Sequence, residues 1–294
     1  MFHHHRELAY TVRVDKPNPV FARMLQQAIG GPEGEMRVMN QYLFQAWGTR
    51  GPKKYKDMLL ATGTEEIGHI ELLATAVAMN LDGMPSEKVE DVVTNPLVSA
   101  RMGGVEPRHF LSAGLAAMPS DANGVPFNAS CIDVAGNLTA NLRANVAAEA
   151  VGRTLAARLR ELTDDPGMKD MLSFLIARDT MHQQQWMAAI EDLGDTFASA
   201  PNDVPDEGDY AKHAYAFFNH SDSPDAELGR WTQGASLDGK GAFAVGDPRA
   251  VAGPEPELMG GPASVHAGVE ATRTNGGGRT GVVDKVKHAV DKIT

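Results

Sequence analysis

The sequence predicts an all-α protein organised as a four-helix bundle, and three observations predict it. Four long segments carry apolar residues at the three- and four-residue spacing of one helix face. The first two and the last two of these segments are joined by short loops, whereas residues 81–132 separate the second from the third. Each of the four also places a carboxylate or an imidazole on its apolar stripe. A long connection is unusual inside a compact domain, but two antiparallel hairpins in a ferritin-like bundle require one crossover of this kind.

Along the chain, Leu8, Tyr10, Val12 and Val14 alternate with Ala9, Thr11, Arg13 and Asp15, the period of a strand or extended arm. Pro17 and Pro19 break this stretch. Residues 20–29 suit a short helix, ended by Gly30 and Gly31. The first long helix is expected over 32–47, opened by Pro32 and carrying Met36, Met39, Leu43 and Trp47. The second runs over 53–80, with Glu66 and His69 interrupting the stripe of Leu59, Leu72, Leu73 and Ala76. The crossover is rich in Pro and Gly and suggests only one short helix, at 108–116. The third helix is expected over 133–162 with Leu142, Val146 and Glu149 inward, and the fourth over 166–193 with Met171, Leu175 and His182 inward.

After Gly194 the composition turns to Gly, Pro, Asp and Ser. The organisation expected is therefore an extended arm at 1–20, the bundle at 21–195, and a C-terminal arm at 196–294 that wraps the bundle or a neighbouring subunit. Trp231, Phe243, Val245 and Leu258 are its scattered anchors, too few for a second core, and 282–293 suits a short amphipathic helix.

Composition excludes several classes of function. A net charge of −11 over 294 residues argues against nucleic-acid binding. No apolar run has the length of a membrane span. One cysteine, Cys131, permits no intrachain disulfide, and the first fifteen residues lack the apolar stretch of a secretory signal, so a cytoplasmic protein is expected. Cys131 reads as a buried bystander. His3, His4 and His5 read as a surface feature, and His109, His213, His220, His266 and His288 as loop or surface residues.

The chemistry centres on Glu66 and His69, three residues apart on one helix face. Buried without a partner they would be very costly. Glu35, Glu149 and the Asp179-x-x-His182 pair lie on the stripes of the other helices, and four helices with inward acids and imidazoles relieve that cost together by sharing cations. The set reads as a dinuclear metal centre. Carboxylate and imidazole together suit manganese or iron better than structural zinc.

The motifs Gly34-Glu35-Met36 before Gln41-Tyr42-Leu43, Glu66-Ile67-Gly68-His69-Ile70-Glu71, Asn141-Leu142-Arg143-Ala144 ahead of Glu149, and Arg178-Asp179-x-x-His182-Gln183 resemble the manganese catalases. The resemblance spans about residues 1–260. It implies that Glu35 and His69 bind one manganese, Glu149 and His182 a second, and that Glu66 bridges the two. It further implies disproportionation of hydrogen peroxide to water and dioxygen, a homohexamer, and Asp179 as the proton carrier. Some members have Glu where this chain has Asp179, and Arg where it has Ala148. Tyr42 is placed to hydrogen-bond near the ligands. Asp57, Asn219 and Ser221 match part of a calcium site seen in some members, with Ala61 replacing an expected acid. A diiron carboxylate protein that activates dioxygen or stores iron also fits the ligand types, and a non-catalytic coat protein retaining the fold is a third reading, which the intact ligands disfavour.

Overall fold

The computed structural model describes residues 7–82, 105–195, 213–220, 224–247 and 249. His3 to His5, residues 83–104 of the crossover, Ser221, Leu258, His266, His288 and the terminal helix expected at 282–293 lie outside the described residues. The chain divides into two compact units, Met1–Ala211 with Ala235–Gly241, and Lys212–Gly234 with Ala242–Thr294.

The first unit contains the bundle. Helix α1, Pro19–Gly30, starts with a proline at its first position and is capped by Asn18, whose side chain accepts the Val20 and Phe21 N–H groups. Helix α2, Glu35–Gly48, begins later than Pro32. The intervening residues form a turn in which the Gly34 N–H donates to the Gly31 carbonyl at 3.0 Å, and Glu35 becomes the first helical residue. Helix α3 is Lys53–Leu81. Helix α4 is only Arg108–Leu111, because Gly114 and Leu115 follow with φ of 58° and 71°, outside helical geometry. Helix α5, Leu138–Glu161, is capped by Asn137, and helix α6, Pro166–Asp192, by Asp165.

Helix α5 starts five residues later than expected because buried amides claim its approach. The Gln41 side chain accepts from Asp133 N–H at 3.0 Å, Gln45 donates to the Asp133 carbonyl at 2.8 Å, and Asn141 accepts from Ala135 N–H at 2.8 Å. Gln41 and Gln45 are themselves bonded to the buried Asn145. The network ties α2, α5 and the end of the crossover together, and leaves 133–135 extended.

Helices α2 and α3 form one antiparallel hairpin and α5 and α6 the other. Their apolar residues divide into two clusters. One holds Phe21, Leu25, Leu72, Leu73, Met171 and Leu172; the other holds Tyr42, Leu59, Leu142, Val146, Trp186 and Ile190. On α3, Glu66 and His69 fall between Leu59 and Leu72. On α6, Asp179 and His182 fall between Leu175 and Trp186. A polar layer thus lies between two apolar ones along the bundle.

Residues 7–15 are extended but unpaired with any strand among the described residues. The alternation has its consequence all the same: Leu8, Tyr10, Val12 and Val14 turn toward the first cluster, and Tyr10 stacks on Phe174 with centroids 4.4 Å apart. The arm crosses the start of α6 at Gly167, where a Cβ would lie 2.1 Å from the Arg13 carbonyl oxygen. Asp165 fastens it, accepting from Asp15 N–H at 2.8 Å, Lys16 N–H at 3.0 Å and Met168 N–H at 3.0 Å. Burial alone would raise the Asp165 pKa, but these backbone donors outweigh it and lower it. A depressed folded-state pKa means stability that is present above the unfolded value and lost as pH falls through the folded one. Asp165→Ala should cost about 1–2 kcal/mol near neutral pH. The gap between the thermal melts of the two proteins should begin to close below about pH 4, where an unperturbed carboxylate titrates, and vanish only below the depressed folded value; a gap independent of pH would contradict this.

The described part of the crossover lies on α1. Gly30 permits the contact, since a Cβ there would sit 2.6 Å from three backbone atoms of Ser120. Gln26 donates to the carbonyls of Met118 and Ser120 at 2.7 and 2.9 Å. This docking buries His109 completely, with Nε2 3.3 Å from Gln26 Oε1, which corrects the expectation that it is a surface residue. Cys131 is half-buried rather than buried, and its thiol donates to the Asn128 carbonyl at 3.2 Å.

The second unit has a small order of its own. Strands β1, Ala216–Phe218, and β2, Ala244–Gly246, pair in parallel. Tyr215 meets Phe243 edge-on at 6.2 Å, and Phe217 meets Trp231 at 6.4 Å. The tail has few apolar residues, but its aromatics converge locally, so it builds more internal packing than composition suggested. Among the described residues no helix is long and apolar enough to cross a membrane.

Candidate metal centre

Four helices each bring one or two groups to the polar layer. Glu35 comes from the first turn of α2, where a carboxylate is favoured by the helix dipole. Glu66 and His69 come from α3, Glu149 from α5, and Asp179 and His182 from α6. All but Glu35 are less than 5% exposed, and the Glu35 side chain is 13% exposed.

These residues form two groups that share one member. Potential ligand atoms of Glu35, Glu66 and His69 all lie within 4.8 Å of one another, and so do those of Glu66, Glu149 and His182. Glu66 is central: its Oε2 is 2.7 Å from His69 Nδ1 and its Oε1 is 2.9 Å from His182 Nδ1. Glu35 Oε2 stands 3.8 Å from His69 Nδ1, and Glu149 Oε1 stands 3.5 Å from His182 Nδ1. The two imidazoles lie near-parallel at 5.6 Å. The Tyr42 hydroxyl donates to Glu149 Oε1.

The donor set fits a pair of cations. Both oxygens of Glu66 and both ring nitrogens of His69 and His182 are buried without a hydrogen-bond partner among the described residues. The short contacts to Glu66 lack hydrogen-bond alignment, so lone pairs converge without a proton properly placed between them. Orphaned buried polar atoms cost free energy that a shared cation removes.

The electrostatics say the same. Burial raises the Glu35 pKa to about 7, with Glu66 adding to the effect. Burial also works to raise Glu66, but His182 and His69 outweigh it and bring that group to about 2. Burial opposes charge on His182, yet Glu149, Glu65 and Glu66 push its pKa up to about 12. His69 is raised as well, with Glu35, Glu65 and Glu66 outweighing its burial. Asp179 is pushed up to about 9 by burial, then by Glu35 and Glu149. The cluster therefore demands positive charge, which metal binding supplies in place of protons.

Asp179 belongs to neither ligand group. It lines a cavity of about 20 Å³ together with Glu33, Glu35, Glu149, Gly152, Leu73 and Leu172. That volume accommodates about one water-sized molecule. Gly152 lies beside it, a Cβ there falling in ordinary van der Waals contact, 3.8 Å from Asp179 Oδ2. Asp57 lies 3.9 Å from Lys53 Nζ, and Asn219 donates to Glu227 at 2.9 Å, so each has a protein partner.

Residues 1–276 match the family described as manganese containing catalase. The chain belongs to the manganese catalase family. A manganese catalase of Bacillus subtilis (strain 168) is 42% identical over 267 residues, covering 90% of this chain and 97% of that protein. An uncharacterized protein of the same organism, YjqC, is 47% identical over 83% of this chain and 88% of its own length. The crystal structure of KatB, a manganese catalase from Anabaena, superposes with a TM-score of 0.66 at 28% identity, covering 84% of this chain and all of that one. Family and fold agree with the ferritin-like bundle, the dimanganese cofactor and the catalase activity that the motifs implied.

Spacing alone did not single out two residues at this centre. Glu65 approaches the outer edges of both histidines, and Arg178 bonds Glu65 through Nε at 2.6 Å. The signal was available, because Glu65 is four residues before His69 and so shares its side of α3.

Proposed function

We propose that this chain disproportionates hydrogen peroxide with Glu35 and His69 holding one manganese, Glu149 and His182 the other, and Glu66 spanning both. The observation that carries this assignment is the pair of three-residue groups sharing Glu66. When bound, two manganese ions supply a two-electron store, so that one peroxide is reduced to water and another oxidised to dioxygen. The protein's own part is binding, shape and protons. A cavity of water-like size admits peroxide and excludes larger substrates, and the neutrality of peroxide spares it repulsion from the acidic walls. Tyr42 holds Glu149 by donating to Oε1. Asp179, buried beside Glu35 and Glu149, favours its protonated form and holds a proton at the cavity wall.

Asp179→Asn keeps the shape and removes the exchangeable carboxyl proton. It should lower turnover by about 100-fold or more with manganese content unchanged; unchanged turnover would remove Asp179 from proton transfer. The metal assignment is tested by loading metal-free protein with manganese or with iron. Oxygen release on adding peroxide is expected from the manganese form alone. Release from the iron form alone would reverse the assignment.

The same reading makes the protein a cytoplasmic homohexamer, with residues 196–294 as an arm reaching a neighbouring subunit. Light scattering should return six times the 31.4 kDa of one chain.

A further inference from the structure

The two histidines each have an inner and an outer ring nitrogen. Both inner ones, Nδ1, face Glu66 at 2.7 and 2.9 Å. Both outer ones, Nε2, face the preceding residue on α3, Glu65. Its Oε2 lies 3.2 Å from His182 Nε2 and its Oε1 lies 3.7 Å from His69 Nε2. Among the described residues neither Nε2 makes an aligned hydrogen bond, and these contacts place the Glu65 carboxylate beside both. Glu65 is in turn gripped by Arg178 of α6, whose Nε donates to Oε1 at 2.6 Å and Nη2 to Oε2 at 3.3 Å. The Glu65 and Arg178 side chains are 33% and 35% exposed, so the pair forms the outer rim of the histidine layer.

We infer that Glu65 is a positioning residue for both metal-binding histidines, one carboxylate oxygen serving each Nε2–H, with Arg178 fixing the carboxylate from the opposite helix. The chemistry is that of tautomers. A neutral imidazole carries one N–H, and whichever nitrogen donates leaves the other's lone pair for a metal. An acceptor at Nε2 of both rings keeps both Nδ1 lone pairs directed at the space around Glu66. Consecutive carboxylates on one helix thereby take separate tasks, Glu66 among the ligands and Glu65 behind them. The arrangement needs one acid where two would otherwise be required, and it couples the orientation of the two rings, because any shift of Glu65 is felt by both.

This inference rests on the manganese reading. The test compares Glu65→Ala with Arg178→Ala in the full chain. Both variants remove the same tie between α3 and α6, but only the first removes the acceptor. Manganese affinity, measured by competition with a chelator, should fall by about 10- to 100-fold in Glu65→Ala and by less in Arg178→Ala. The melting temperatures of the two metal-free variants should fall alike. Should Glu65→Ala fail to fold, Glu65→Gln takes its place. It keeps the side chain's size and one accepting oxygen, and it must still bind manganese more weakly than Arg178→Ala. Equal affinity losses in the two variants would reduce the pair to a tie between helices and overturn the inference, as would no loss on replacing Glu65. Wild-type protein that takes up no manganese would overturn the functional reading and this inference together; wild-type loading beside an equally tight Glu65→Ala would overturn this inference alone.

Discussion

Glu66→Gln should leave a folded protein with little bound manganese and a loss of peroxide disproportionation exceeding about 100-fold, the upper range for residues that only support ligands. Glu66 is the one residue common to both ligand groups, and each of its oxygens approaches a different histidine. The amide retains the size of the side chain but presents an NH2 group to one imidazole and gives up a negative charge. The remaining acids, Glu35 and Glu149, are held apart on α2 and α5, and neither touches both histidines. Folding should survive, since the amide keeps the side chain's size and the two imidazoles that faced Glu66 can shed their protons once its charge is gone. The check is metal content by elemental analysis beside oxygen release on an electrode. Normal content with normal activity would remove Glu66 from the bridge.

Trp186→Ala should be the most damaging change in the apolar layer next to the centre, costing about 3–5 kcal/mol of stability. Trp186 is fully buried, and its ring lies 4.9 Å from that of Tyr42. Its removal opens a cavity beneath Tyr42, the residue that donates to Glu149. The consequence should extend from stability to the site, with weaker manganese binding as well as a lower denaturation midpoint. Trp186→Phe is the informative partner. It keeps much of the packing and deletes an indole N–H that has no hydrogen-bond partner among the described residues, so it should cost far less. Denaturant titration of the metal-free proteins measures both; equal losses in the two variants would mean that the indole N–H, not volume, is what matters.

The bundle was legible in the sequence because its apolar residues follow a helical period strictly over α3, α5 and α6, and because Glu66, His69, Glu149 and His182 stand out as charges on those stripes. The approach to α5 was misread. Gly136, whose φ is 70°, and Asn137, which caps α5, were local signals for a later start, and the long-range amide bonds from Gln41, Gln45 and Asn141 hold the residues before them extended. The start of α2 was misplaced because Pro32 suits both a first helical turn and the Gly31–Gly34 turn that forms instead. His109 looked like a loop residue because its burial is decided by the docking of the crossover on Gln26 and Gly30, contacts remote in sequence. The same holds for the Glu65–Arg178 pair, whose members are on helices joined only through the long crossover. The aromatic cluster of Tyr215, Phe217, Trp231 and Phe243 was hidden by averaging, since those residues are sparse in composition yet meet in space.

The central claim is that Glu35, Glu66, His69, Glu149 and His182 hold two manganese ions between four helices. Anomalous diffraction at the manganese absorption edge, from crystals of manganese-loaded protein, tests it most directly. Two peaks per chain are expected, one bordered by Glu35, Glu66 and His69 and the other by Glu66, Glu149 and His182. A single peak, or peaks away from Glu66, would contradict it.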